Sequence, residues 1–339
     1  MNHSTFKSFT FGIGLFFTLP LVYGNSSSPS SSDGTLYINK SKTHKVAPVK
    51  YGFHYEEIGM MGEGALHAEL IRNRSFEEAT PPAGLSVKNG LYENVPAPRV
   101  KEKKVFQADP LIGWTTYPLS YTPVFISRTD ENPMSGENKY SMLVNVTEDI
   151  ANHPDALILN RGYYGMNLKT DTSYRLSLFL KNRNYSAPLR VFLVDEWGQR
   201  VSNVIEVNVG NRDWTKYTGE LKPEKNVRRG MFAIQPMSKG QFQIDVVSLF
   251  PSDTWNDGKS VFRKDIVQNL KEFSPSFIRF PGGCIVHGVN EETMYHWKKT
   301  LGPIENRPGQ WSKWAPYYRT DGIGYHESVS YTHLTLPTT

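Results

Sequence analysis

The sequence predicts a mixed fold, an α/β region interrupted by a long all-β block, and three observations carry that expectation. In residues 262–273, Phe262, Ile266, Val267, Leu270 and Phe273 form an apolar stripe of helical period that Pro275 ends. Residues 276–280 are a short run of apolar, aromatic and β-branched character that Pro281, Gly282 and Gly283 cannot continue. Helix, tight loop, buried strand and glycine turn make one αβ step of a parallel fold. Between about 81 and 250 the helical stripe disappears and short alternating strands are punctuated by turn residues roughly every 8 to 12 positions, the pattern of a β-sandwich or jelly roll.

Taken in order, the first 24 residues read as a secretory signal: Lys7, an apolar run over 9–22, then Val22-Tyr23-Gly24 at a cleavage point. Residues 25–34 are a Ser-rich linker. Residues 35–39 alternate as a half-buried strand, and 49–58 read as a second strand that carries Glu56 and Glu57 near its end. Carboxylates there are costly to bury without a partner, so Glu56 is a site candidate and Glu57, on the opposite face, a structural ion-pair member. Residues 62–72 read as a helix on Leu66, Leu70 and Ile71, followed by a turn over 73–77. Within the β block, strands are expected at 140–145, 174–180, 189–194, 204–209 and 242–249. Its aromatics Trp114, Tyr117, Tyr121, Tyr163, Tyr164 and Trp214 are either sugar platforms or sandwich core. After the block, ligands of a parallel α/β fold bind beyond the carboxyl ends of the strands, which is where Arg279 and Cys284 stand. A Gly-, Pro- and Trp-rich loop over 301–314 ends on Trp314, a candidate sugar platform.

Composition narrows the function classes. A formal charge of +5 over 339 residues, with dispersed Lys and Arg, carries no nucleic-acid footprint. Seven Trp and 18 Tyr suit a protein that lays flat rings on sugars. Cys284 is the only cysteine, so an exported chain holds no intrachain disulfide and relies on packing. His54, His67, His287 and His296 lack metal-ligand spacing, so no metal and no cofactor are expected. Sequons stand at Asn39, Asn73, Asn145 and Asn184.

Four motifs, in order, carry a family likeness: Tyr-Gly-Phe-His-Tyr-Glu-Glu-Ile from Tyr51, Ala-Glu-Leu-Ile-Arg-Asn-Arg-Ser-Phe-Glu from Ala68, Arg-Phe-Pro-Gly-Gly-Cys from Arg279, and Thr-Asp-Gly-Ile-Gly-Tyr-His-Glu from Thr320. Together they resemble the α-L-arabinofuranosidases of glycoside hydrolase family 51. The resemblance implies an incomplete (β/α)₈ barrel, with a first strand ending at Glu56 and a second at Arg279. It also implies an accessory β-sandwich to which 35–39 adds a strand, and a carbohydrate-binding-module-like jelly roll inserted at 81–250. Residues 251–327 would continue the barrel. The signal implies a secreted or periplasmic protein, free of the membrane after its removal, and the resemblance implies an enzyme that releases terminal arabinofuranosyl groups from arabinan or arabinoxylan with retention, through two glutamates. Glu56, Arg279, Cys284 and Trp314 would bind substrate. Family members assemble into oligomers, so a homo-oligomer is compatible with the likeness.

The family's acid/base and nucleophile glutamates lie on later strands, and none of Glu291, Glu292, Glu305 and Glu327 is assigned either role. Residues 328–339 abandon the expected amphipathic helix, and 329–334 resemble a translated sequencing adapter, so a truncated and inactive fragment with a non-native tail is expected. The alternative is a secreted, non-catalytic carbohydrate-binding protein in which the sandwich does the work.

Overall fold

The computed structural model describes residues 39, 41, 51–56, 58, 60, 61, 62–80, 86–93, 106–279, 281–288, 290, 291, 293–311, 319 and 320. Residues Met1–Val49 and Lys50–Thr339 are separate units. In the first, Asn39 Oδ1 accepts hydrogen bonds from the Ser41 backbone N–H (3.0 Å) and hydroxyl (2.7 Å). The expected signal, the linker and, Asn39 apart, the strand at 35–39 lie outside the described residues.

In the second unit the strands are, in chain order, β1 (Gly52–His54), β2 (Ser86–Lys88), β3 (Leu91–Glu93), β4 (Phe106–Gln107), β5 (Trp114–Tyr117), β6 (Val124–Thr129), β7 (Ser141–Val146), β8 (Leu157–Asn160), β9 (Met166–Leu168), β10 (Tyr174–Asn182), β11 (Pro188–Val194), β12 (Ile205–Asn208), β13 (Thr215–Leu221), β14 (Val227–Gln235) and β15 (Gly240–Pro251). Helix α1 (Lys264–Phe273), β16 (Phe277–Arg279) and helix α2 (Gly283–His287) follow. Strands β2, β3 and β4 form a small antiparallel sheet, and β5 to β15 form two more. One has the order β13-β10-β15-β7-β6. The other runs β12-β11-β14-β8-β5, with β9 also on β14.

Period-2 patterning explains the sandwich. In β10 the residues Tyr174, Leu176, Leu178 and Leu180 all point into a core shared with Leu189, Val191 and Leu193 of β11 and with Phe232 and Ile234 of β14. The opposite face of β11 is apolar too: Phe192 and Val194 pack with Leu157, Leu159, Met231 and Ala233 under Tyr117. Trp114 is core, its indole N–H donating to the Asn73 carbonyl at 3.0 Å. Trp214 is half-buried and donates to the Asn132 carbonyl.

The helix expected over 62–72 does not form. Gly62–Leu66 makes a single wide turn broken by non-helical angles at Glu63 and Gly64, and the chain then runs extended. Long-range contacts override the local stripe. Leu66 and Ala68 bond to the backbone of Arg263 and Val261, while Leu70 N–H donates to Leu249 O and Ile71 enters the sandwich core. The buried Glu69 carboxylate fixes this path. Oε1 accepts the N–H groups of Ile71 (3.0 Å) and Leu249 (2.8 Å), while Oε2 accepts from the Ser248 hydroxyl (2.6 Å) and Arg74 (3.4 Å). Burial pushes the carboxyl up, and Arg74 and these donors oppose the rise. Glu77 Oε1 likewise accepts the N–H groups of Lys139 and Tyr140, and Glu78 forms a two-pronged ion pair with Arg72. The stretch from Leu66 to Glu78 is therefore the joint that ties the α/β elements to the sandwich. Asn73 is buried within it, bonded to Pro110 O, so its sequon offers no exposed acceptor.

Strands β1 and β16 are neighbours and parallel, in the register Gly52↔Phe277, Phe53↔Ile278 and His54↔Arg279. Helix α1 precedes β16 as its stripe predicts, and Ser274 ends it in a left-handed conformation just before Pro275. Two parallel strands with a helix between sandwich and second strand place both strand ends on one side, because parallel strands point the same way.

Candidate functional site

At the carboxyl ends of β1 and β16 three side chains meet. His54 closes β1, and Glu56 lies two residues on, so the extended backbone turns both to the same side. The parallel register sets Arg279 directly beside His54. The His54 Nε2 atom lies 3.1 Å from Glu56 Oε2 and 2.7 Å from Arg279 Nη1, linking groups 225 positions apart in the chain. One nitrogen serves one neighbour at a time: protonated, Nε2 donates to the carboxylate; unprotonated, it accepts from the guanidinium. The Tyr55 N–H donates to Arg279 O at 2.9 Å, carrying the pairing one residue past β1.

Glycine makes room for the carboxylate. Gly282 has φ +99°, and a Cβ there would lie 2.4 Å from both Cδ and Oε2 of Glu56. Glu56 is thus held against bare backbone and is only 7% exposed. A Cβ on Gly283 would come 3.7 Å from Arg279 Nη2, an ordinary contact distance, so the start of α2 lies beside the guanidinium. Cys284 follows in the first turn of α2 as a half-buried free thiol.

Of the residues expected at a site, Glu56 and Arg279 come together and Cys284 stands on the adjoining turn. Trp314 lies outside the described residues, as does Glu57. Arg279, expected to be buried, is exposed, because β16 has β1 on one side and no described strand on the other. Sequence reasoning missed His54. Its signal was available: residues at i and i+2 of a strand share a face, so a candidate Glu56 implicates His54.

Chemically, the cluster is a buried acceptor, an exposed multi-donor cation and an imidazole between them. That set can hold a neutral polyol by accepting and donating hydroxyl hydrogen bonds. Glu56 alone is not a retaining pair, which takes two carboxyl groups about 5–5.5 Å apart. Among the described residues no group of three or more His, Cys, Asp or Glu is placed to hold a metal ion.

Comparison with known proteins bears on this end of the molecule. The family described as the alpha-L-arabinofuranosidase 1 domain matches residues 269–335, a span containing Arg279, Cys284 and the first part of the tail at 328–339. Alpha-L-arabinofuranosidase 1 of Arabidopsis thaliana is 28% identical over 282 residues, which are 82% of this chain and 37% of the relative. An extracellular exo-alpha-L-arabinofuranosidase of Streptomyces chartreusis is 27% identical, over 82% of this chain and 30% of its own length. An arabinose-bound α-L-arabinofuranosidase, MgGH51, superposes with TM-score 0.68 over 88% of this chain and 44% of that one, at 24% identity. In sequence the chain is similar to α-L-arabinofuranosidases, and in fold to the MgGH51 enzyme. Its relatives are glycoside hydrolases, and it spans under half the length of those it matches here.

Proposed function

We propose that the ends of β1 and β16 form the arabinofuranosyl-holding subsite of a secreted, retaining α-L-arabinofuranosidase. Glu56 accepts sugar hydroxyls, Arg279 donates to sugar oxygens, and His54 sets which of the two it supports. Cys284 borders the same subsite, and the two catalytic glutamates come from outside the described residues. In this reading β1 and β16 are the first two strands of a barrel and the sandwich is an inserted module. Arabinose-containing plant polysaccharides are the substrates. The observation that carries the proposal is the convergence of Glu56 and Arg279 through His54, from strands separated by the whole sandwich. The likeness to arabinofuranosidases in both sequence and fold supports it.

Calorimetry on the 339-residue chain with methyl α-L-arabinofuranoside tests it. Binding is expected, without turnover of an aryl arabinofuranoside. Glu56→Gln weakens binding about tenfold to a hundredfold, the worth of hydrogen bonds to a charged group. Absence of binding, or binding that Glu56→Gln leaves unchanged, overturns the assignment.

A further inference from the structure

The sandwich carries a second feature that the arabinose subsite does not use. A broad groove of about 1200 Å³ is lined by the turn at 161–165, the turn at 195–197 and the segment 225–231. Two of its aromatic rings stand in solvent, Tyr164 at 76% and Trp197 at 72% exposure. Large rings gathered in one groove and left in water mark an interaction surface. Both are held by bonded turns. Asp195 Oδ1 accepts the N–H groups of Trp197 (3.1 Å) and Gln199 (2.9 Å). Asn160 Oδ1 accepts from Gly162, and the Gly165 N–H donates to Arg161 O at 3.0 Å, closing the turn that carries Tyr164. Rings presented this way lose little freedom when a flat ligand stacks on them.

The charge of the groove says which ligand. Arg161, Lys225, Arg228 and Arg229 line it against Asp195 and Glu196. Lys225 is committed to Asp195, Nζ to Oδ2 at 3.0 Å. Arg161, Arg228 and Arg229 are exposed, and among the described residues none of them has an ion-pair partner. The pairing of β14 with β9 slips between Val227 and Gly230, and this irregularity leaves the successive residues Arg228 and Arg229 both in solvent. Guanidinium groups match carboxylates two-pronged, and aromatic faces match the C–H faces of pyranose rings.

We propose that this groove binds a carboxylate-bearing oligosaccharide, a chain of uronic acid residues. Tyr164 and Trp197 stack on sugar rings, while Arg161, Arg228 and Arg229 take the carboxylates. The site stands independently of the arabinose subsite, since none of its residues belongs to the Glu56 cluster.

Calorimetric titration of the 339-residue chain with a galacturonate oligosaccharide, its carboxyl-reduced galactose counterpart, and polyglutamate separates the possibilities. The acidic sugar binds, and its reduced counterpart binds at least about tenfold more weakly, the loss expected when charge-assisted hydrogen bonds go unmade. Trp197→Ala lowers affinity about tenfold, as for a truncated anchor residue, while thermal unfolding is unchanged. The double variant Arg228→Ala, Arg229→Ala weakens binding and flattens its salt dependence. Equal affinity for acidic and reduced sugars, absence of binding to either, insensitivity to Trp197→Ala, or polyglutamate binding as tightly as the uronate overturns the proposal. Because Glu56→Gln leaves this groove intact, loss of arabinose binding and loss of uronate binding are distinguishable.

Discussion

The sandwich and the α/β elements start from equally regular apolar patterns and bury them to very different extents. In β10 Tyr174, Leu176, Leu178 and Leu180 are each at most 3% exposed. Helix α1 carries a stripe just as regular, yet none of its residues is buried, and Phe273 and Phe277 are each about half exposed. A periodic stripe defines which face is apolar; a second layer decides whether that face leaves water. Both layers of the sandwich lie between Trp114 and Pro251, whereas among the described residues β16 has only β1 beside it. The joint at 66–78 binds the less buried region to the more buried one through Glu69, Glu77 and the backbone of β15.

The contrast can be broken first at that joint. His67 is buried there, its ring edge-on to Phe250. Burial, with Arg74 and Arg307 nearby, lowers its imidazole from the ordinary 6.5 to about 3. Below pH 6.5 the unfolded chain takes up a proton that the folded chain refuses. The stability is therefore whole above 6.5 and falls as pH drops toward 3, by up to about 5 kcal/mol. Denaturant titrations across that window, on the wild type and on His67→Leu, check this: the variant loses most of the slope. An unchanged slope removes His67 from the account.

Truncations sharpen the comparison at smaller amplitude. Leu178→Ala in β10 costs about 2–5 kcal/mol, the range for emptying a packed core position. Ile266→Ala on the half-buried face of α1 costs less than about 1 kcal/mol, as expected where little is packed. Unfolding followed by tryptophan fluorescence gives both values, and comparable losses at the two positions would erase the distinction between the regions.

Local chemistry made part of the molecule legible. Pro275 and Pro281 bracket β16, and the alternation of Tyr174, Leu176, Leu178 and Leu180 announces β10. Residues 62–72 misled because Leu66, Leu70 and Ile71 keep helical spacing while their destination is set from far along the chain, where Leu249 and Ser248 engage Glu69. The candidate site was half legible. Glu56 and Arg279 stand out as charges at strand ends, but their link through His54 depends on a parallel register that spacing alone does not reveal. The exposed Trp197, in turn, is invisible in composition, since only the fold separates an aromatic in solvent from one in the core.

The most direct test is an NMR titration of the His54 imidazole in the 339-residue chain with methyl α-L-arabinofuranoside. The His54 ring resonances are expected to shift on sugar addition, and Arg279→Ala or Glu56→Gln to abolish the shift. A His54 signal indifferent to the sugar, with both neighbours intact, would contradict the proposed subsite.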